Sequence, residues 1–310
     1  MRERFEAGPG RLDAVLADRL GIARGEAQRA IDAGAVRVDG TVRRKSFRLT
    51  GGERVEADLG PARALPPDPR PVEVRYRDRH LLVISKPSGV PTHPTENRRA
   101  GTLVNRLIAM GVELPPGPDP LRPGIVHRLD AGTSGLLVVA TDEDARLRLA
   151  SAFRRHEVER RYEALVRGSV EHERFVVDAP LGRRGARVTI RAVTGRPAET
   201  AFAVRERFAR ATLLDAEPRT GRTHQIRVHL ASVGHPILGD RRYGGAGDDA
   251  RRLGLDRPFL HAARIAFDHP VTGERIDLEE PLPSELVAAL DQLRRAEGGA
   301  GREGGPARRA

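Results

Sequence analysis

Apolar positions in the first 58 residues fall into short periodic runs. In "RLDAVLADRLG", Leu12, Val15, Leu16 and Leu20 recur at helical spacing, and Gly21 ends the run. "GEAQRAIDAG" predicts a second short helix that stops at Gly34. "AVRVDGTVRRKSFRL" alternates apolar and polar residues around Asp39-Gly40, a dipeptide suited to a tight hairpin, and "GGERVEAD" predicts another turn and strand. Residues 1–58 therefore read as a small α/β unit, two helices followed by a hairpin. The proline-rich "GPARALPPDPRP" has no apolar period, so residues 59–71 are expected to form a semi-stiff linker.

Over residues 72–290 the dominant period is two. "VEVRYR", "HLLVISKPSG", "RRYEALVRG", "RVTIRAV", "ETAFAVRERF", "ATLLDAEP", "LHAARIAFDHP" and "RIDLEEPLP" all predict strands. "GLLVVA" is a continuous apolar run too short for a helix, and its branched residues predict a buried strand. "GTLVNRLIAMG" and "THQIRVHLASVG" switch to helical spacing. "TDEDARLRLASAFRRH" predicts an amphipathic helix opened by a Thr141…Asp144 capping box. Many strands with a few interleaved helices predict an α+β domain with a mixed, mainly antiparallel sheet. Residues 291–310 end in the Gly- and Arg-rich "EGGAGREGGPARRA" and are expected to be a disordered tail.

Composition narrows the function classes. The 310 residues carry a net charge of +11, which points to a polyanionic partner such as nucleic acid. Nearly all the cations are arginines; lysine stands only at Lys45 and Lys86. Cysteine is absent, which excludes disulfides, thiolate-bound zinc and a cysteine nucleophile, and suits a cytoplasmic location. No apolar run reaches 18 residues and "MRERFEAGPG" has no apolar core, so neither a membrane span nor a secretory signal is expected.

Two stretches hold candidate chemistry. In "GIVHRLDAGTSGLLVVA", Asp130 stands beside Arg128 and a Gly132–Thr133–Ser134–Gly135 turn. Positive charge and turn N–H groups would favour an ionised carboxylate, a ready nucleophile or base. By spacing alone, an Asx motif closing the loop before a strand is the favoured reading. In "PRTGRTHQIRVHLASVGHPILGD", Arg219, Arg222, His224, Gln225, Arg227, His229 and His235 crowd one segment. Arg222 and Arg227 lie five apart, so only a break between loop and helix would turn both toward one cleft. The histidines lack the spacing of H-E-x-x-H, and no metal is expected. Ser134 lacks the G-x-S-x-G elbow of a hydrolase, and Asp142, Glu143 and Asp144 fall where they cap a helix, so Asp130 stands as a lone carboxylate.

Together, "HRLDAGTSGLLVVA", "RRYEALVRG", "TGRTHQIRVHLASVGHPILGD", "ISKPSGVPTHP" and "LHAARIAF" resemble the ordered motifs of the RluA family of pseudouridine synthases over roughly residues 72–283. The N-terminal elements resemble an S-four-type RNA-binding module. One stretch, "THPTENRRAGTLVN", departs from the family by lacking a glycine-rich segment. The resemblance implies a pseudouridine synthase fold and isomerisation of uridine to pseudouridine without cofactor or metal. It makes Asp130 the catalytic carboxylate, with nucleophile and base both open. Tyr162 would stack on the uracil, Arg227 would pair with Asp130, Arg128 would help expel the base, and Leu260 would pack beneath the site. Arg24, Arg29, Arg43, Arg44, Lys45 and Arg222 would contact RNA phosphates. The expected substrate is large-subunit ribosomal RNA and the expected enzyme is a monomer. The alternatives are a synthase acting on transfer RNA, a non-catalytic ribosome assembly factor, and an N-glycosidase that releases uracil.

Overall fold

The computed structural model describes residues 2–22, 24–58, 65–185, 187–191 and 194–300, with side chains to residue 297. The N-terminal module contains β1 (Arg2–Glu6), β2 (Gly10–Arg11), α1 (Leu12–Leu20), α2 (Arg24–Asp32), β3 (Val36–Val38), β4 (Thr41–Val42), β5 (Arg48–Leu49) and β6 (Arg54–Asp58). Its sheet runs β1-β6-β3-β4, and β2 pairs with β5. Asp39 and Gly40 turn the β3–β4 hairpin with φ of 49° and 75°, the left-handed pair that matches strand twist. Leu12, Leu16, Ala27, Ile31, Val36 and Val55 close a small separate core. Strand β1 was not foreseen: "RERFE" holds one apolar residue, Phe5, and forms a strand because β6 offers it an edge along its whole length.

The larger domain contains β7 (Glu73–Arg77), β8 (Leu81–Lys86), α3 (Leu103–Ala109), β9 (Ser134–Ala140), α4 (Glu143–Arg155), β10 (Glu159–Arg167), β11 (Arg174–Asp178), β12 (Leu181–Arg184), β13 (Arg187–Ile190), β14 (Glu199–Phe208), β15 (Ala211–Pro218), α5 (Gln225–Ser232), α6 (Asp248–Arg252), β16 (Leu260–Asp268), β17 (Arg275–Glu279) and α7 (Ser284–Ala300). Among the described residues its main sheet runs β11-β14-β15-β10-β16-β9-β8-β7, with β17 also on β16. Only the β9–β16 pairing is parallel, so the sheet is mixed and mainly antiparallel, as the alternation implied.

Strand β9 shows why "SGLLVVA" does not alternate. Leu137 and Val139 join one apolar layer, while Leu136 and Val138 join a second layer on the other face with Ala145 and Leu149 of α4. A strand covered on both faces is apolar at every position. At its start Gly135 has φ of 110°, and a Cβ there would lie 2.3 Å from the Ala262 carbonyl oxygen. Only glycine lets β9 meet β16 immediately after the Asp130 loop.

Three expectations are corrected. Helix α4 is capped by Asp142, whose Oδ1 accepts the Ala145 N–H at 2.8 Å; Thr141 instead donates its hydroxyl to the Arg79 carbonyl. The segment 291–310 is not wholly a tail, because α7 runs to Ala300 and Leu286, Ala289 and Leu290 anchor it in the core; residues 301–310 lie outside the described residues. The second half of the linker lies on α3. There the Asp68 N–H donates to the Asn105 carbonyl at 2.9 Å, Asn105 Nδ2 donates to the Pro66 carbonyl at 2.7 Å, and Arg70 and Arg106 flank the Asp68 carboxylate. Residues 59–64 lie outside the described residues.

Candidate active site

A cleft of about 610 Å³ opens in the larger domain where loops preceding β9 and α5 meet the ends of β10 and β16. Its described lining contains one carboxylate, Asp130, and seven arginines, among them Arg128, Arg160, Arg222 and Arg227. Such a charge ratio suits a polyanion that places one reactive atom against the single acid.

Asp130 sits on the loop leading into β9, with a side chain 16% exposed. The turn N–H groups do not serve as expected: the Thr133 N–H donates to the Asp130 backbone carbonyl at 3.1 Å. The carboxylate is held by Arg227, whose Nη1 donates to Asp130 Oδ2 at 2.8 Å. Arg227 is itself clamped from behind. Its Nε and Nη2 donate to Asp240 Oδ2 and Oδ1 at 2.7 and 2.9 Å, and Asp240 is 1% exposed. The Arg242 and Tyr243 N–H groups in turn donate to Asp240 Oδ1, and the Tyr243 ring lies 5.0 Å from the guanidinium carbon. Burial alone would lower the Arg227 pKa, but Asp240 and Asp130 outweigh it and hold it above the ordinary value. A buried guanidinium with two carboxylate partners cannot swing away, so Asp130 keeps one rotamer.

The loop–helix break that Arg222 and Arg227 require is present. Arg222 lies in the loop, α5 begins at Gln225, and between them His224 takes a left-handed φ of 58°. A left-handed backbone costs a non-glycine residue energy and directs His224 into the cleft. Its Nε2 lies 3.8 Å from Asp130 Oδ2 and its Nδ1 is 2.7 Å from the Tyr243 hydroxyl. Burial lowers its pKa and favours the neutral ring. His229 turns elsewhere, its ring nitrogens meeting the Thr200 hydroxyl and the Ala179 carbonyl, so the two histidines do not converge on an ion.

Tyr162 is 7% exposed on β10 beside a bulge between Arg161 and Tyr162, and lines the cleft. Burial raises its pKa, which keeps the phenol neutral. Leu260 starts β16 and forms part of the same wall. Arg128 is exposed at the mouth. Arg222 donates Nε to the Pro197 carbonyl at 3.0 Å.

Sequence reading missed Lys86, Asp240 and His127. Lys86 is fully buried and donates to the Pro87 and Val90 carbonyls at 2.8 Å each and to the Ala131 carbonyl at 3.4 Å. Burial pulls its pKa down to about 7, while Asp130 acts in the opposite direction. It ties the loop after β8 to the residue following Asp130. His127 stacks on Phe153 and accepts the Val138 N–H at 2.8 Å, and burial lowers its pKa to about 3. Their only sequence signal was membership of quoted motifs, because the contacts that tie them to the site, Lys86 to Ala131, Asp240 to Arg227 and His127 to Val138, join separate segments.

In the N-terminal module three of the five expected phosphate contacts, Arg24, Arg29 and Lys45, already have carboxylate partners. Arg24 donates twice to the fully buried Asp13 at 3.1 Å, joined there by Arg11 and Gln28. Arg11 first, then Arg24 and Gln28, hold the Asp13 carboxyl well below the usual range against the cost of burial. Arg24 thus fastens α2 to α1. Arg29 pairs with Glu96 of the larger domain, and Lys45 with Asp32 at 2.8 Å. Arg43 lies over the Phe47 ring at 4.9 Å beside the exposed Arg44, around a shallow depression.

A family model described as RNA pseudouridylate synthase matches residues 80–232, and an S4 domain model matches residues 10–55. An uncharacterised RNA pseudouridine synthase of Mycobacterium tuberculosis is 39% identical over 290 residues, covering 92% of this chain and 94% of its own. The chain belongs to the RNA pseudouridine synthase family.

Ribosomal large subunit pseudouridine synthase D of Nitrosomonas europaea is also 39% identical, covering 92% of this chain and 84% of its own. The structure of human RNA pseudouridylate synthase domain containing 1 superposes with a TM-score of 0.57 at 28% identity, over 74% of this chain and 96% of that one. This synthase is therefore an isomerase with RNA as its substrate, joined to an S4 RNA-binding domain. Among the described residues no helix is long and apolar enough to cross a membrane.

Proposed function

We propose that this synthase converts specific uridines of large-subunit ribosomal RNA to pseudouridine, with Asp130 as the catalytic carboxylate. The observation that carries the reading is the single carboxylate of an arginine-lined cleft, locked by Arg227 at 2.8 Å. A base inside a stacked helix cannot reach Asp130, so the target must flip out, at a cost of a few kcal/mol. Arg128 at the mouth takes the space the base vacates, and Tyr162 and Leu260 form the wall against which the uracil lies; an aromatic platform recovers ~1–3 kcal/mol. The reaction breaks the bond from ribose C1′ to uracil N1 and makes one from C1′ to C5. N1 gains a proton and C5 loses one, so no atom is gained or lost. The Asp130 carboxylate attacks the sugar or the base, or removes a ribose proton; Tyr162 and the neutral His224 are nearby groups able to relay protons.

In the same reading, residues 1–58 dock RNA, residues 72–290 catalyse, and the enzyme works as a monomer in the cytoplasm. The test is carbodiimide mapping of RNA from cells with and without the gene, repeated with purified enzyme on ribosomal and transfer RNA transcripts. Alkali-resistant carbodiimide adducts in large-subunit RNA that depend on the enzyme, at unchanged RNA mass, are expected. Sites confined to transfer RNA would move the substrate, loss of mass would mean uracil release, and no change would leave a binding protein.

A further inference from the structure

Two cleft-lining side chains, His93 and Arg160, have a buried nitrogen without a hydrogen-bond partner among the described residues; Arg160 is a donor anchored through Nη2 to the Pro218 carbonyl at 2.9 Å, which leaves His93 as the unmet acceptor. His93 stands near the end of "ISKPSGVPTHP", which matches the family pattern, directly before the segment that departs from it. It is 6% exposed, lines the cleft, and its Nε2 is buried with no hydrogen-bond partner among the described residues. Its other nitrogen fixes the tautomer. Nδ1 lies 2.8 Å from the Pro94 carbonyl oxygen, which can only accept, so Nδ1 carries the proton. Burial, aided by the charges of Arg122 and Arg128, keeps the ring neutral against the opposing pull of that carbonyl and Asp119. Nε2 is then a bare lone pair.

The position is rigid. Thr92, the preceding residue, donates its hydroxyl to the Leu129 carbonyl at 2.8 Å and accepts the Leu129 N–H at 3.2 Å. Leu129 lies between Arg128 and Asp130, so His93 is stapled to the loop that presents both. A buried acceptor left unpaired is costly, and native structures rarely keep one without a use. Phosphate oxygens cannot satisfy it, since they offer no proton. The arginines around it already suit phosphates. RNA presents two classes of donor there, the ribose 2′-hydroxyl and a base N–H.

We propose that His93 is a specificity-determining residue that accepts, through Nε2, a hydrogen bond from a donor group of the RNA beside or at the target nucleotide. The inference rests on RNA being the occupant of this cleft, as proposed above. It separates the labour of the cleft: arginines hold the backbone, and His93 tests whether a donor stands at one defined place.

The experiment is interference mapping with large-subunit ribosomal RNA transcripts, each carrying sparse random substitutions of one kind. One pool has single 2′-deoxy positions. The other is lightly treated with carbodiimide, which blocks uridine N3–H and guanosine N1–H. Bound and free fractions are compared for the wild-type protein, for His93→Phe, which removes the acceptor at similar volume, and for His93→Gln, whose side-chain carbonyl can accept. The wild-type protein is expected to lose about tenfold in affinity on one defined substitution. His93→Phe should lose a similar factor on unsubstituted RNA and nothing further on that substituted RNA, with His93→Gln in between. The pool that reveals the position names the source, hydroxyl or base. Equal affinity of His93→Phe and wild type, or an interference map unchanged by the variant, would overturn the inference. The binding readout needs no turnover, so a protein that forms no pseudouridine yet shows the coupled loss would overturn the proposed reaction and leave the role of His93 standing.

Discussion

The cleft and the N-terminal module carry the same residue type to opposite ends. In the cleft, Arg227 is about one-tenth exposed, forked onto a buried Asp240 and aimed at Asp130. In the module, Arg43, Arg44 and Lys45 are exposed, and Lys45 pairs with the surface carboxylate of Asp32. A buried pair is rigid because neither member can regain water without breaking the other's bonds. An exposed pair exchanges partners at little cost, ~0–1 kcal/mol. The cleft therefore spends its charges on fixing one geometry, while the module keeps its charges available to phosphates. Arg24 warns against reading every module cation alike, because its fork onto the buried Asp13 makes it part of the module's frame.

The comparison is broken most severely at Asp130. Asp130→Asn should leave folding and RNA affinity near wild type, since one local charge is lost and phosphate contacts persist. Pseudouridine yield at long incubation should fall below about 1% of wild type, the scale expected when an acid–base or nucleophilic group is removed. Retained turnover above that level would return the motif to a simple turn.

Next comes the clamp. Arg227→Met strands Asp240 as an unpaired buried charge and should cost ~3–5 kcal/mol of stability, with activity down roughly 100-fold. Adding Asp240→Asn should recover most of the melting temperature and none of the activity. Recovery of both would show that Arg227 acts through stability alone.

A third effect concerns acid. His127, with its pKa lowered by burial to about 3, binds no proton in the folded state over a range where the unfolded chain does. Stability should therefore fall as pH drops from about 6.5 toward 3, and near pH 5 His127 should account for ~1–2 kcal/mol of the loss. Thermal melts at pH 7 and pH 5 check this: His127→Asn should melt lower at pH 7 but with a shallower pH dependence. An unchanged dependence would place the acid sensitivity on the other buried histidines.

The smallest effect belongs to the module. Replacing Arg43, Arg44 and Lys45 together by Ala should leave the melting temperature almost unchanged and reduce the salt slope of RNA binding by about 2–3, near one per lost phosphate contact. An unaltered slope would place the docking surface elsewhere on the module.

What the sequence by itself determined follows from local rules. Leu12 and Leu16 at helical spacing, Asp39-Gly40 at a hairpin, the apolar "GLLVVA" between two layers and the alternating strands of the larger domain each reflect a preference set within a few residues, and the ordered motifs identified the family. The sequence also pointed to the pairing of Arg227 with Asp130 through that resemblance. Tertiary structure decided the rest. Strand β1 forms because β6 lends it an edge, Arg24 is committed to Asp13 by burial, and Asp240 reaches Arg227 from a separate turn. Lys86 gains its meaning from the Ala131 carbonyl, and His93 from the cleft wall it joins through the Thr92–Leu129 contact. Burial and charge pairing depend on which distant segments meet, and those terms are absent from any local stretch of the chain.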